Sequence, residues 1–139
     1  RKKQMFKTSG GKYIAPQVIE SELKQSLFIE QIVVVGEVKN MAAAIVQPHF
    51  EESKNWLHEQ GIVFDDNYEA LSKNEKLIEH ITAEIRLHDH KFGKWEQVKV
   101  VRLTPDVWSV EEGHLTPTMK VKRNEILRKY EKLIQEIYC

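Results

Sequence analysis

Ile32-Val33-Val34-Val35-Gly36-Glu37-Val38-Lys39-Asn40-Met41-Ala42-Ala43-Ala44-Ile45-Val46 is the stretch that decides the fold. Four successive β-branched residues, Ile32 to Val35, leave no polar side for solvent, so they read as a strand buried on both faces. Gly36 stops the run. Glu37 to Asn40 supply a connection, and Met41 to Val46 form a second apolar run that Pro48 ends. The two runs are expected to be adjacent strands. Downstream, Glu51 to Gln60 read as a helix with Trp56 and Leu57 on one side and Gly61 as its stop. Leu71, Leu77, Ile78, Ile81 and Ile85 fall at helical spacing and place a longer helix over about Ser72 to Leu87. Val98 and Val100 to Leu103 give a third strand. Thr104 to Met119, with two prolines and a glycine, should be irregular. Ile126, Leu127, Tyr130, Leu133, Ile134 and Ile137 then form one apolar stripe, expected on a single continuous helix.

Upstream, paired glycines Gly10-Gly11 mark a turn between two short segments, so a small β-hairpin or loop is expected there. Pro16 suits the first turn of a helix, since its missing N–H would be unpaired at that position. Ile19, Leu23 and Leu27 extend that helix to about Ser26. Three strands interleaved with helices give the fold class α+β.

Composition narrows the function classes. The chain has 139 residues, 41% hydrophobic and 30% charged, which suffices for one packed domain. Lys+Arg and Asp+Glu both number 21, so there is no basic excess of the kind a general nucleic-acid or anionic-membrane binder carries. The one cysteine, Cys139, cannot build an internal disulfide framework and fits a reducing, cytoplasmic setting. No apolar run approaches the roughly 18 to 20 residues of a membrane helix. The sequence opens on Arg1 inside a basic polar stretch with no signal peptide, and is read as a piece of a longer protein.

Two segments carry candidate chemistry. Lys7-Thr8-Ser9-Gly10-Gly11-Lys12 combines glycines, hydroxyls and ammonium groups, which together favour an anion such as phosphate. The spacing is not that of a P-loop, and a solvated turn with flanking charges is the competing account. Thr116-Pro117-Thr118-Met119-Lys120-Val121-Lys122-Arg123 is a proline-restrained loop that presents Lys120, Lys122 and Arg123. A lysine on its long stem can reach a phosphate or a developing oxyanion. The competing account is a polar loop with a basic first helical turn, an arrangement the helix dipole mildly disfavours. His88-Asp89-His90 lacks partners at any metal-ligand spacing and is read as an exposed helix end, so no metal site is expected. His49, His58, His80 and His114 are isolated. Trp56, Trp95 and Trp108 are assigned to packing.

The same two segments resemble a known family. Arg1-x-Lys3 with Phe6-Lys7-Thr8-Ser9-Gly10-Gly11-Lys12-Tyr13-Ile14-Ala15-Pro16 and Ile19-Glu20 is similar to the hinge and glycine loop of adenylate-forming enzymes, in the wording of their long-chain fatty acyl-CoA synthetase branch. Leu115-Thr116-Pro117-Thr118-Met119-Lys120-Val121-Lys122-Arg123 resembles that branch's catalytic-lysine motif. Glu30 to Gly36 and Ala43 to Pro48 are similar to the family's paired strands. The resemblance implies that residues 1–139 are the small C-terminal lid of such an enzyme: hinge at 1–3, glycine loop and hairpin at 4–15, globular α+β body at 16–139. The partner would be a large N-terminal domain holding ATP, Mg²⁺ and the fatty acid. The implied activity is long-chain fatty acid–CoA ligation, in which ATP activates the acid to an acyl-adenylate and coenzyme A then displaces AMP. By the same resemblance Lys120 is the adenylation lysine, Lys3 the hinge residue, and Arg1 a contact near the nucleotide ribose. Gly10 and Gly11 line the path of the pantetheine arm, and Lys7 and Lys12 assist thioester formation or contact coenzyme A phosphate. The isolated domain would be inactive, and the whole enzyme cytoplasmic or membrane-peripheral. Three departures stand out. Met119 stands where glycine usually precedes the lysine, Gln4 stands where an acidic residue is common, and the glycine loop is one residue longer. A stand-alone module binding a phosphorylated ligand, and an adenylating enzyme for a different acid, are the alternatives.

Overall fold

The computed structural model describes residues 5–37 and 39–138. Arg1, Lys3 and Gln4 lie outside them, so the hinge and ribose expectations find no structural counterpart. The chain forms two compact units, Arg1–Asp106 and Val107–Cys139.

The first unit begins with a hairpin. Strand β1 (Phe6–Lys7) pairs antiparallel with β2 (Tyr13–Ile14). Helix α1 (Pro16–Leu23) follows, with Pro16 at its first position. It ends earlier than the Ile19–Leu23–Leu27 spacing predicts. A turn at Lys24 to Ser26 intervenes, and Leu27 is exposed. Strands β3 (Ile29–Val35) and β4 (Ala42–Pro48) pair antiparallel, with Val33 opposite Ile45 and Val34 opposite Ala44. Helices α2 (Phe50–Glu59), α3 (Tyr68–Ser72) and α4 (Glu75–Asp89) then carry the chain across, through a short 3₁₀ turn at Lys94–Glu96, to strand β5 (Val98–Leu103). The sheet order is β3-β4-β5, with β5 parallel to β4. A parallel neighbour requires such a crossover, and helices are its usual content. Every residue of β4 is buried. Ala42 to Ala44 are poor strand formers by propensity, but a ladder on each side overrides that preference.

The core on one side of this sheet joins Ile14, Ile19 and Leu23 to Ile32, Val34, Ala44 and Val46, and to Leu57, Leu77, Ile81 and Ile85. Strand β3 is a sheet edge, and α1 blunts it. The buried Glu20 carboxylate accepts the Val34 N–H at 2.7 Å, a charge-assisted bond that occupies a donor otherwise open to pairing.

The helix predicted over about Ser72 to Leu87 is α4, which starts at Glu75, and a separate short helix, α3, precedes it. Asn74 caps α4 by accepting from the Leu77 N–H, and Asn67 caps α3 in the same way through the Ala70 N–H. The far end also differs. His88-Asp89-His90 is not a solvated terminus. Asp89 is fully buried, and its Oδ2 accepts the Val98 N–H at 2.9 Å and Arg86 at 3.2 Å. His88 and Lys91 converge on Glu22, which holds that carboxyl below its ordinary pKa, the Lys91 hydrogen bond contributing most. The tripeptide looks polar because it fastens α4 to β5 and to α1.

His80 of α4 stacks on Trp56 at 4.0 Å and meets the Phe28 ring edge-on at 4.5 Å. Its Nε2 is buried and has no hydrogen-bond partner among the described residues.

The second unit, taken by itself, is a looped segment followed by helices α5 (Arg123–Lys129) and α6 (Glu131–Ile137). The predicted continuous helix breaks at Tyr130, which leaves helical geometry at φ −106, ψ 23. Its buried ring hydroxyl accepts a hydrogen bond from Trp108 Nε1 at 2.9 Å. Anchoring that hydroxyl turns the stripe, so Leu127, Leu133 and Ile134 are only half-buried while Ile126 and Ile137 are buried. No helix among the described residues is long and apolar enough to cross a membrane.

Burial lowers the pKa of His80 below the ordinary histidine value, against the opposing pull of Glu84. The unfolded chain therefore takes up the proton first on acidification, and this group's contribution is complete above the ordinary histidine pKa and declines below it. Stability should fall as the pH drops through the ordinary histidine value of about 6.5 and continue to fall until the lowered folded-state value is passed. Denaturant midpoints across that range for the native chain and for His80→Phe, which keeps a stacked ring, check this; the variant should show the flatter profile.

Candidate functional site

The hairpin gathers Lys7, Gly10, Gly11 and Lys12, all exposed, into one short loop. Its geometry rests on Thr8, which is buried. The Thr8 N–H donates to the Lys12 carbonyl at 2.8 Å, the Gly11 N–H donates to the Thr8 carbonyl at 3.0 Å, and Thr8 Oγ1 accepts the Lys12 N–H at 3.2 Å. At the tip, the Ser9 N–H donates to the Lys39 carbonyl at 2.9 Å. The two glycines have different tasks. Gly11 sits at φ +85, the left-handed region where a side chain is strained. Gly10 does not. A Cβ there would find only Thr8 Oγ1, at 3.9 Å, so the fold itself leaves room for a side chain. Lys7 lies over the Tyr13 ring at 5.2 Å, and Lys12 over the Trp95 ring at 5.1 Å.

The Lys120 loop is also locked by its own backbone. Leu115 and Val121 form an isolated antiparallel bridge. Between them the Met119 N–H donates to the Thr116 carbonyl at 2.7 Å, closing a turn with Pro117 in its second position. The Thr116 N–H donates to the Lys120 carbonyl at 2.7 Å, and Thr116 Oγ1 accepts the Lys120 N–H at 3.1 Å. A turn followed by a left-handed residue is a familiar hairpin closure, and glycine commonly fills the left-handed place. Here Met119 fills it, at φ +68, the only non-glycine residue with positive φ among those described. Methionine in place of glycine thus changes the residue and keeps a glycine-type backbone. The Lys120 ammonium is exposed and has no ion pair among the described residues, and Lys122 is exposed beside it.

Thr8, whose hydroxyl was counted among the anion-favouring groups, is buried and accepts the Lys12 N–H, and Thr116, given no role from the sequence, accepts the Lys120 N–H, in each case from a lysine four residues on. That spacing from threonine to lysine was the available signal. Trp95, assigned to packing, is 44% exposed and donates its Nε1–H to the Tyr13 carbonyl at 3.1 Å. Among the described residues there is no group of three or more metal-ligating side chains.

A family model described as the AMP-binding enzyme C-terminal domain matches residues 3–139. Long-chain-fatty-acid–CoA ligase 1 of Cavia porcellus is 36% identical over 99% of this chain and 20% of its own length. The human long-chain-fatty-acid–CoA ligase 1 matches at the same 36% identity and the same 99% and 20% coverage. The chain therefore spans about a fifth of the curated relatives it matches. Among solved structures, the A domain of carboxylic acid reductase from Segniliparus rugosus, in complex with AMP and a co-purified carboxylic acid, superposes with a TM-score of 0.78 at 19% identity, covering 96% of this chain and 19% of that one. At that identity the likeness speaks for the fold.

The two left-handed positions should respond oppositely to exchange. Met119→Gly relieves backbone strain and should stabilise the chain by up to about 1 kcal/mol, whereas Gly11→Ala introduces it and should cost about 1 kcal/mol. Urea unfolding of both variants against the native chain reads the two signs.

Proposed function

We propose that this chain, which belongs to the AMP-binding enzyme C-terminal domain family, is the small lid of an AMP-forming long-chain fatty acid–CoA ligase. Both of its units would form parts of that lid. The observation that carries the reading is Lys120: an exposed ammonium with no counter-ion among the described residues, held at the end of a turn closed by the Met119, Thr116 and Lys120 hydrogen bonds.

In the first half-reaction a fatty-acid carboxylate oxygen bonds to the α-phosphorus of ATP and pyrophosphate leaves. Negative charge gathers on the oxygens around that phosphorus as the bond forms. An ammonium already placed there stabilises the developing charge without reorganising. In the second half-reaction the coenzyme A sulfur attacks the acyl carbon and AMP departs with the bonding electron pair. The thiol arm must then pass close to protein backbone, and Gly10 presents backbone with no side chain in the way. Lys7 and Lys12 stand beside it, available to the phosphates of coenzyme A. Lys3 would absorb the rotation between the two lid orientations, and Arg1 would contact the nucleotide ribose. Mg²⁺, most ATP contacts and the acyl pocket would belong to the large N-terminal domain. A cytoplasmic location belongs to the same proposal.

Two variants of the full-length ligase test the reading, with acyl-adenylate formation and acyl transfer from pre-made acyl-adenylate assayed separately. Lys120→Ala should slow adenylation by about a hundredfold or more and leave the second step largely intact. Adenylation at the native rate would sink the assignment and favour a phosphate-binding module. Gly10→Val should leave stability and adenylation near native but slow thioester formation, because a Cβ at Gly10 meets no close neighbour in the fold while the added bulk obstructs a passing thiol arm. A Gly10→Val enzyme with native thioester kinetics would show that nothing passes there.

A further inference from the structure

A hairpin of two two-residue strands is marginal on its own and needs outside ties to hold one orientation. Ile14 anchors its base in the core, and Ser9 ties its tip to Lys39. Phe6 of β1 also packs against the core, and Trp95 adds a further tie. This residue belongs to the Lys94–Glu96 turn between α4 and β5, which the sheet holds firmly. Asp89 fixes the start of β5 through Val98, the Phe92 N–H donates to the Asp89 carbonyl at 3.0 Å, and the Gly93 N–H donates to Glu96 Oε1 at 3.0 Å. The Trp95 ring lies against Gly93 so closely that a Cβ there would come within 2.8 Å of two ring carbons. From that seat its Nε1–H reaches the Tyr13 carbonyl, and its face lies under the Lys12 ammonium. Tyr13 in turn pairs with Lys7 in the hairpin register. A large ring left 44% exposed contributes less by burial than a core tryptophan, so its contacts point to orientation.

We propose that Trp95 is the positioning residue of the glycine hairpin, fixing Tyr13 and Lys12 relative to the sheet so that the Ser9–Lys12 loop is held for thioester formation. The inference rests on the reading that this loop serves the second half-reaction.

The test uses the full-length ligase with Trp95→Ala, Trp95→Phe and Gly93→Ala. Gly93→Ala keeps the indole but forces it from its seat. Each is assayed for adenylation and for acyl transfer to two acceptors, coenzyme A and pantetheine. Misplacing a loop by about an ångström costs on the order of tenfold to a hundredfold. Trp95→Ala and Gly93→Ala should both lose that much in kcat/KM for acyl transfer, equally for the two acceptors, with adenylation near native. Trp95→Phe, which keeps a ring under Lys12 but loses the donor, should fall between native and Trp95→Ala. An equal loss in both half-reactions would reduce Trp95 to a general stabiliser and overturn the proposal. A loss confined to coenzyme A would overturn it in favour of a direct contact with the nucleotide end. Native acyl transfer in all three variants would also overturn it, and Gly10→Val measured alongside tells whether the loop reading has failed too: a slow Gly10→Val enzyme leaves that reading standing.

Discussion

Strand β4 is buried along its whole length, and a buried strand must have both of its edges hydrogen-bonded. Much of the first unit follows from that requirement. β3 satisfies one edge by a short antiparallel return. The other edge takes β5, which runs parallel and so can be reached only through the α2–α4 crossover. The crossover must stop in register with β4, and the buried Asp89 carboxylate sets that stop by ending α4 on the first N–H of β5. The short connection that remains, residues 90–97, carries Trp95 to the hairpin. Sheet topology thus leads step by step to the placement of an exposed loop far away in sequence.

The two candidate loops reach similar rigidity by different routes. Each uses a threonine hydroxyl to accept a lysine N–H four residues on, and each needs a residue of positive φ. In the hairpin that residue is Gly11, at no steric cost. In the second unit it is Met119, whose strain of about 1 kcal/mol is offset by the three hydrogen bonds around Thr116. Strain retained beside an exposed lysine with no ion pair among the described residues marks a loop shaped for what it presents more than for stability.

The strands were legible because their signal is local: Ile32 to Val35 and Met41 to Val46 are uninterrupted apolar runs, Val98 to Leu103 is β-branched apolar sequence broken only by Lys99 and Arg102, and each became a strand with ends within three residues of the expected ones. The hairpin was legible from its paired glycines. Other features were not, because they depend on partners distant in sequence. Nothing in His88-Asp89-His90 reveals that Asp89 is buried under Val98. Nothing in the stripe from Ile126 to Ile137 reveals that Trp108 will draw Tyr130 out of helical geometry. The caps Asn67 and Asn74 were readable and were passed over in favour of hydrophobic spacing, which began α4 three residues early and left α3 unseen. Of the site, the residue types and their two loops were readable. The division of labour between Gly10 and Gly11 was not, since it depends on backbone torsion.

The parallel pairing of β4 with β5 also has a history during synthesis. Ala42 waits for Val98 before its outer edge is closed, and the hairpin waits for Trp95. Until α4 and β5 have emerged, a mostly apolar strand with one open edge is exposed, the kind of segment that captures other chains. Contacts of such long sequence separation also slow folding, because loop closure must come before they can form. The blunting of β3 by Glu20 therefore takes on a second value: it uses residues made early, and it leaves the nascent sheet with one vulnerable edge in place of two.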